Sequence, residues 1–307
     1  MLCDDVLDIV FSWLCNPLEP RVAVSFSSAS RGLRALTQLV RQQLKVEHEA
    51  ASALCRKVGL QSCKQLREAS VARWPRKGLT AADLATLGTL GSALPALQQL
   101  ALFRNVAAPD GVQRLAGGLG AGGLPAVKVL NLNRMQMGDA GAAAIGAAIG
   151  RGALPRLEAL GLGENGIGNV GVAALVPALR RLAALATLSL WLNPIGDEGV
   201  AALVRPPPAG GAAGAAAGAA AGGAAGGLTT LRMISLDSTQ ISDAGCATLT
   251  AALYSGAMPS LTELSMASIP GVDAVPAVHA ALTSESRRSL LAASACASAD
   301  GTAGKFT

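Results

Sequence analysis

The chain has 307 residues, 51% of them apolar and 15% charged, with 36 Gly, 15 Pro and a net charge of +5. A chain this apolar buries enough surface to fold, which excludes disorder throughout, and its length allows about two domains. Only 3% of the residues are aromatic, so the core is aliphatic; the two histidines, His48 and His279, lie far apart, which argues against a His-based metal site or catalytic centre.

The N-terminal stretch, residues 1–45, is read as helical. Leu7, Val10, Phe11 and Leu14 fall at i, i+3, i+4 and i+7, an apolar helical stripe, and Asn16-Pro17 breaks it. Val22 and Phe26, then Leu33, Leu36, Val40 and Leu44, predict two further helices. The start carries Asp4 and Asp5 and no basic cluster, unlike a secretory leader. No segment has the length and hydropathy to span a membrane, so a membrane partner is not expected. The six cysteines are then expected to be reduced thiols in a cytoplasmic or nuclear protein.

Charge is uneven. Residues 1–80 hold 12 Lys/Arg against 7 Asp/Glu, whereas residues 81–307 hold 13 of each. Arg56, Lys57, Lys64, Arg67, Arg73, Arg76 and Lys77 are opposed only by Glu68. Such a cluster suits nucleic acid or an acidic protein surface, but a solvated helix face is its ordinary meaning, and no nucleic-acid partner is expected. Residues 46–93 read as a helical linker with a possible degenerate repeat, in which Ala72 and Trp74 mark a strand and Leu84 and Leu87 a helix.

From residue 94 to residue 282 the chain repeats itself. Six segments align, beginning at Leu97, Val127, Leu157, Leu185, Leu231 and Leu261, and their starts are 30, 30, 28, 46 and 30 residues apart. Each reads apolar-x-x-apolar-x-apolar, often followed by Asn. The alternation at Leu160/Leu162 or Leu188/Leu190 is that of a short strand. Asp139, Asn169, Asp197 and Asp243 share one turn slot and are expected as helix N-caps. A helical stretch follows, such as Val172, Leu175, Val176 and Leu179, and Leu124-Pro125, Leu154-Pro155 or Met258-Pro259 closes the unit. A strand-turn-helix unit of this size cannot bury its own apolar face. Stacking buries it, giving an α/β solenoid, a curved horseshoe with parallel strands on the concave side and helices on the convex side. Residues 206–227, three prolines followed by Ala and Gly, read as a flexible insertion, and the Ser/Ala-rich stretch 283–307 as a disordered tail.

Other motifs carry little. Gly161-x-Gly163-x-x-Gly166 fits a dinucleotide-binding pattern, but its glycines occupy variable slots of the repeat and no acid follows about 20 residues on. No cofactor, metal ligand set or catalytic constellation is predicted, and the chain is expected not to be an enzyme.

The repeats resemble the leucine-rich repeat family, in the long-repeat class of ribonuclease inhibitor and the Ran GTPase-activating protein. Met135, Thr239 and Ile269 depart from its Asn. The N-terminal string, with Leu2, Val6, Leu7, Val10, Phe11, Leu14, Ser30-Arg31 and Leu33-Arg34, resembles an F-box, although Cys3 stands where that family usually has Pro. Together these resemblances imply a protein-binding adaptor. Leu7, Val10, Phe11 and Leu14 would dock on the adaptor subunit of a cullin-type ubiquitin ligase, and the concave face would hold the substrate. The alternatives are a GTPase-activating or enzyme-inhibiting repeat protein at the level of function, and a plain helical cap at the N-terminus. Candidate partner-binding residues on the concave side are Phe103, Arg104, Asn131, Asn133, Arg134, Glu164, Trp191 and Asp237, of which Phe103, Trp191 and the arginines are the types that dominate interfaces.

Overall fold

The computed structural model describes residues 15–29, 37–105, 110–205 and 228–284. Leu7, Val10, Phe11 and Leu14, the other F-box-like positions through Arg34, the insertion 206–227 and the tail from residue 285 lie outside the described residues.

Among the described residues, seven strands of three residues each form one parallel sheet in sequential order. They are β1 (Val71–Arg73), β2 (Gln99–Ala101), β3 (Val129–Asn131), β4 (Ala159–Gly161), β5 (Thr187–Ser189), β6 (Met233–Ser235) and β7 (Glu263–Ser265). Ala72, Leu100, Leu130, Leu160, Leu188, Ile234 and Leu264 pair across the sheet in one register. The 46-residue spacing between the fourth and fifth units leaves that register intact, with Thr187 opposite Met233. β1 lies ahead of the six aligned copies, and Trp74 is buried where the later units place Leu102 or Leu132.

Strand alternation explains the layering. The middle residue of each strand is buried and its neighbours turn to the open side. Between strands run the helices Ala81–Thr89, Gly111–Gly118, Gly138–Gly150, Asn169–Leu179, Asp197–Val204 and Asp243–Tyr254, and Val275–Thr283 follows β7. Each packs on the next along the stack. Their apolar faces, such as Val172, Leu175, Val176 and Leu179, meet the strand leucines in one continuous core. Each buried leucine contributes about 2 kcal/mol. The fold is an α/β leucine-rich repeat solenoid with helices ahead of it. Gln38–Val58 is one unbroken helix across residues 45 and 46, and its Leu54, Cys55 and Val58 join the core at the N-terminal end.

Two polar ladders bind the units. The first is built from the Asn that follows β2, β4 and β5, namely Asn105, Asn165 and Asn193. The Asn165 carboxamide donates to the carbonyls of Leu132 and Leu162 and accepts from the Met135 amide. Asn193 donates to Leu162 and Leu190 and accepts from the amides of Asn165 and Ile167. Each Asn thus ties two units by satisfying buried backbone groups. Thr239 replaces it with one bond, to its own Leu236 carbonyl.

The second ladder corrects the expectation that Asp139, Asn169, Asp197 and Asp243 are N-caps. They lie inside the first turn of their helices, and Met137, Gly168, Gly196 and Ser242 hold the cap positions. Three of them serve the following unit. Asp139 Oδ1 accepts from the amides of Gly168 (2.6 Å) and Gly171 (3.0 Å), Asn169 Oδ1 from Gly196 and Gly199, and Asp197 Oδ1 from Ser242. The free donors of one helix start are therefore met by the preceding repeat. Glycine is required at the second contact, because a Cβ on Gly171 or Gly199 would collide with Asp139 or Asn169. Asp197 also accepts from the Ser242 hydroxyl at 2.6 Å, and these bonds hold its carboxyl below the usual carboxylate range. This rung crosses the insertion.

The Leu-Pro junctions differ from the extended backbone that usually precedes proline. Leu124, Leu154 and Met258 are left-handed, with φ of 54°, 57° and 51°. Each is buried and its carbonyl accepts the amide three residues on, which closes the turn into the next strand.

Candidate protein-interaction face

The open side of the sheet carries three rows of side chains that the core does not use. The first follows the buried middle residue: Arg73, Ala101, Asn131, Gly161, Ser189, Ser235 and Ser265. The second is Pro75, Phe103, Asn133, Gly163, Trp191, Asp237 and Ala267. The third, one residue later, is Arg76, Arg104, Arg134, Glu164, Leu192, Ser238 and Ser268. All seven residues of the third row are left-handed, with φ between 52° and 60°. Their amides continue the ladder beyond the strands: Arg104 donates to Asn133, Arg134 to Gly163, and Glu164 to Trp191. The rungs are therefore held at strand spacing, about 4.8 Å.

All eight predicted partner-binding residues fall on these rows between β2 and β6. At their centre the five-membered ring of the Trp191 indole occupies the space that a Cβ on Gly163 would take. The Arg134 guanidinium sits 5.4 Å from the centroid of that ring. Its Nε lies 2.5 Å from Glu164 Oε2, an ion pair and not an aligned hydrogen bond. Asn131 Oδ1 accepts from the Asn133 amide, and Asn133 Oδ1 from the Gly163 amide at 2.7 Å. The patch is thus a set of half-buried groups fixed by their neighbours, which lowers the entropy lost when a partner is bound. Phe103 and Arg104 stand one rung to the N-terminal side. Asp237 stands one rung to the other side and is already engaged. Burial opposes its ionisation, but bonds from the Ser265 hydroxyl, the Ala267 amide and the Ser235 hydroxyl outweigh that and hold its pKa down. A recess of about 450 Å³ adjoins the patch, walled by Arg104, Arg134, Gln136, Glu164 and Leu192.

The repeat register already sets Gly163 in the second row and Leu192 in the third; what it does not reveal is that Gly163 is the seat of Trp191. Leu192 is 46% exposed beside Glu164. Arg76 was missed by sequence reasoning: it continues the third row, and aligning Trp74 with Leu102 would have placed it there.

Elsewhere the reactive side chains have structural partners. His48 Nδ1 lies 2.6 Å from the Pro17 carbonyl and His279 Nε2 lies 3.2 Å from that of Leu264. Cys55 and Cys63 are buried with their sulfurs 3.9 Å apart. Burial, with Cys63 alongside, pushes the Cys55 thiol up to about 12. Among the described residues no cluster of metal-binding side chains occurs, and no helix is long and apolar enough to cross a membrane.

Comparison with known proteins agrees with the geometry. Residues 154–176 and 185–204 match the family model described as Leucine Rich repeat. No curated protein sequence matches the chain. Among solved structures it is similar to the actin-binding site 2 of leiomodin-1, at 13% identity and a TM-score of 0.37, covering 70% of this chain and 96% of that one. It is also similar to TLR13 in a complex with ssRNA13, at 15% identity and a TM-score of 0.31, covering 67% of this chain and 30% of that one. Both scores are too low to bear on function.

Proposed function

We propose that the chain is a non-enzymatic protein-binding module and that it works as the substrate-recognition adaptor of a cullin-type ubiquitin ligase in the cytoplasm or nucleus. The open face would hold the substrate. The observation that carries this is the patch centred on Trp191 and Arg134, where an aromatic, a cation and two carboxamides are fixed on a surface the core does not require. Desolvated aromatic and arginine groups of this kind supply most of the affinity in protein interfaces. The ligase half rests on the F-box-like string through Leu7, Val10, Phe11 and Leu14. The mechanism is proximity: the chain supplies no reacting group and raises the effective concentration of substrate lysines near the ligase.

The test is affinity purification of the full chain beside two variants. Leu7→Asp/Phe11→Asp is expected to lose the ligase adaptor and keep the substrate, and Trp191→Ala/Arg134→Ala to do the reverse. Point variants are preferable to a truncation at residue 46, which would cut the helix Gln38–Val58. Recovery of no ligase subunit with the unaltered chain would remove the adaptor half. Unchanged recovery of every partner with Trp191→Ala/Arg134→Ala would remove the interaction face. Clear stimulation of GTP hydrolysis in a candidate GTPase would favour the activating role instead.

A further inference from the structure

The third row of the open face begins with three arginines on successive rungs, Arg76, Arg104 and Arg134, before it turns to Glu164, Leu192, Ser238 and Ser268. The backbone does not demand this. The same left-handed conformation, φ 52° to 60°, is held with equal ease by Glu, Leu and Ser further along the row. Nor does the core demand it, since Arg76 is exposed and Arg104 half-exposed. Like charges on neighbouring rungs repel, so the row is maintained against a cost. Arg134 is neutralised by Glu164. Arg76 and Arg104 are not, and among the described residues neither they nor the adjoining Arg73 has a carboxylate within ion-pair distance. Arg73 donates only to the neutral Gln99 side chain, at 3.1 Å. Other members of the N-terminal basic cluster are already paired: Lys57 with Asp83, Lys64 with Glu68 and Arg67 with Glu19. Arg56, on the helix Gln38–Val58, and Lys77, whose ammonium lies near Gly59, are unpaired as well, but Arg73, Arg76 and Arg104 are the ones that stand together on the open side of β1 and β2. Beyond the neutral Arg134–Glu164 pair the sign then reverses, with Asp237 and Glu263 on the rungs of β6 and β7.

We propose that Arg73, Arg76 and Arg104 form the anchoring end of the open face, and that it binds an acidic stretch of an extended polypeptide laid across the rungs. Carboxylates two residues apart on an extended chain are about 6.8 Å apart, within reach of guanidinium groups spaced at about 4.8 Å on flexible stems. Guanidinium forks bind carboxylates bidentately, a match that lysine does not offer. The reversal of sign favours a peptide over nucleic acid, because a uniform phosphate backbone continuing over Asp237 and Glu263 would be repelled there. A polypeptide of changing charge follows both halves. This rests on the open-face reading above and adds the chemistry of the partner to it.

The experiment is fluorescence anisotropy of the full chain with three labelled probes of equal length: a Glu/Ser peptide, the same peptide with Lys for Glu, and single-stranded RNA. The Glu/Ser peptide is expected to bind best, and to weaken with added salt as screening grows. Arg76→Glu/Arg104→Glu should weaken it roughly tenfold or more, and Arg76→Lys/Arg104→Lys only in part, with the circular dichroism spectrum unchanged. Equal binding of the Lys peptide, tighter binding of RNA, or full binding by the Glu double variant would each overturn the proposal. Capture of a cellular partner separates it from the broader reading. Loss with Trp191→Ala but not with Arg76→Glu/Arg104→Glu removes the arginine anchor and leaves the open face; loss with neither removes both.

Discussion

Asn193→Ala tests the ladder that holds the open face in register. Asn193 is 2% exposed, and its Oδ1 is the acceptor for two buried amides, Asn165 and Ile167, each at 3.0 Å. Its Nδ2 donates to the Leu162 and Leu190 carbonyls at 2.9 Å, but Leu162 keeps a second donor in Asn165. The dominant loss is therefore two buried N–H groups left without an acceptor, at about 1–3 kcal/mol each, so the variant should lose about 3 kcal/mol. Asn105→Ala orphans one amide where Asn193→Ala orphans two, that of Leu79 through a longer 3.2 Å bond, and removes the donor to the Trp74 and Leu102 carbonyls at 2.7 Å; it should lose about 2 kcal/mol. Urea unfolding followed by circular dichroism gives both values, and an unchanged slope shows that the same unit unfolds. Equal losses in the two variants, or a loss below about 1 kcal/mol for Asn193→Ala, would refute the ladder as a source of stability.

Gly171→Ala drives a Cβ into Asp139 and should destabilise by about 1–3 kcal/mol, whereas Gly117→Ala, with open space around an exposed helical site, should stabilise by about 0.5–1 kcal/mol; thermal melts of the pair check the contrast. Because the Asp197 carboxyl is held below its ordinary value of about 3.9, its contribution is complete above that pH and disappears as pH falls through the lower folded value. Asp197→Ala should therefore flatten the acid limb of the stability curve below about pH 4.5 while lowering the plateau at pH 7, and an unchanged acid limb would contradict this. Cys55, pushed up to about 12 and buried, should resist alkylation at pH 8 in the folded chain and react only on unfolding, as read by mass spectrometry.

The sequence carried the fold where one residue type answers one need. Leucine at the buried strand positions has a fixed spacing, and the Asn after it recurs because the backbone groups it satisfies recur. β1 was faint because Val71-Ala72-Arg73 offers Ala where the other rungs offer Leu or Ile, and Trp74 fills the gap that results. The Asp139 slot was recognisable as an acceptor for helix donors, but a single unit cannot reveal that those donors belong to the next helix. Trp191 stood out as an aromatic on the open side. Its seat on Gly163 did not, since the absence of a side chain is informative only once the rungs are stacked. The F-box-like positions of the N-terminal stretch remain a sequence resemblance, outside the described residues.

Site-specific photo-crosslinking tests the open face as the binding surface most directly. A photoreactive residue placed at Thr187 or Met233 lies on the open side of the sheet, and one at Val170 or Thr248 lies exposed on the helical side. Partner adducts from Thr187 and Met233, lost when Trp191 is changed to Ala, and none from Val170 or Thr248, are the expected result. Adducts arising from the helical positions alone would show that the partner is held by the other side of the solenoid.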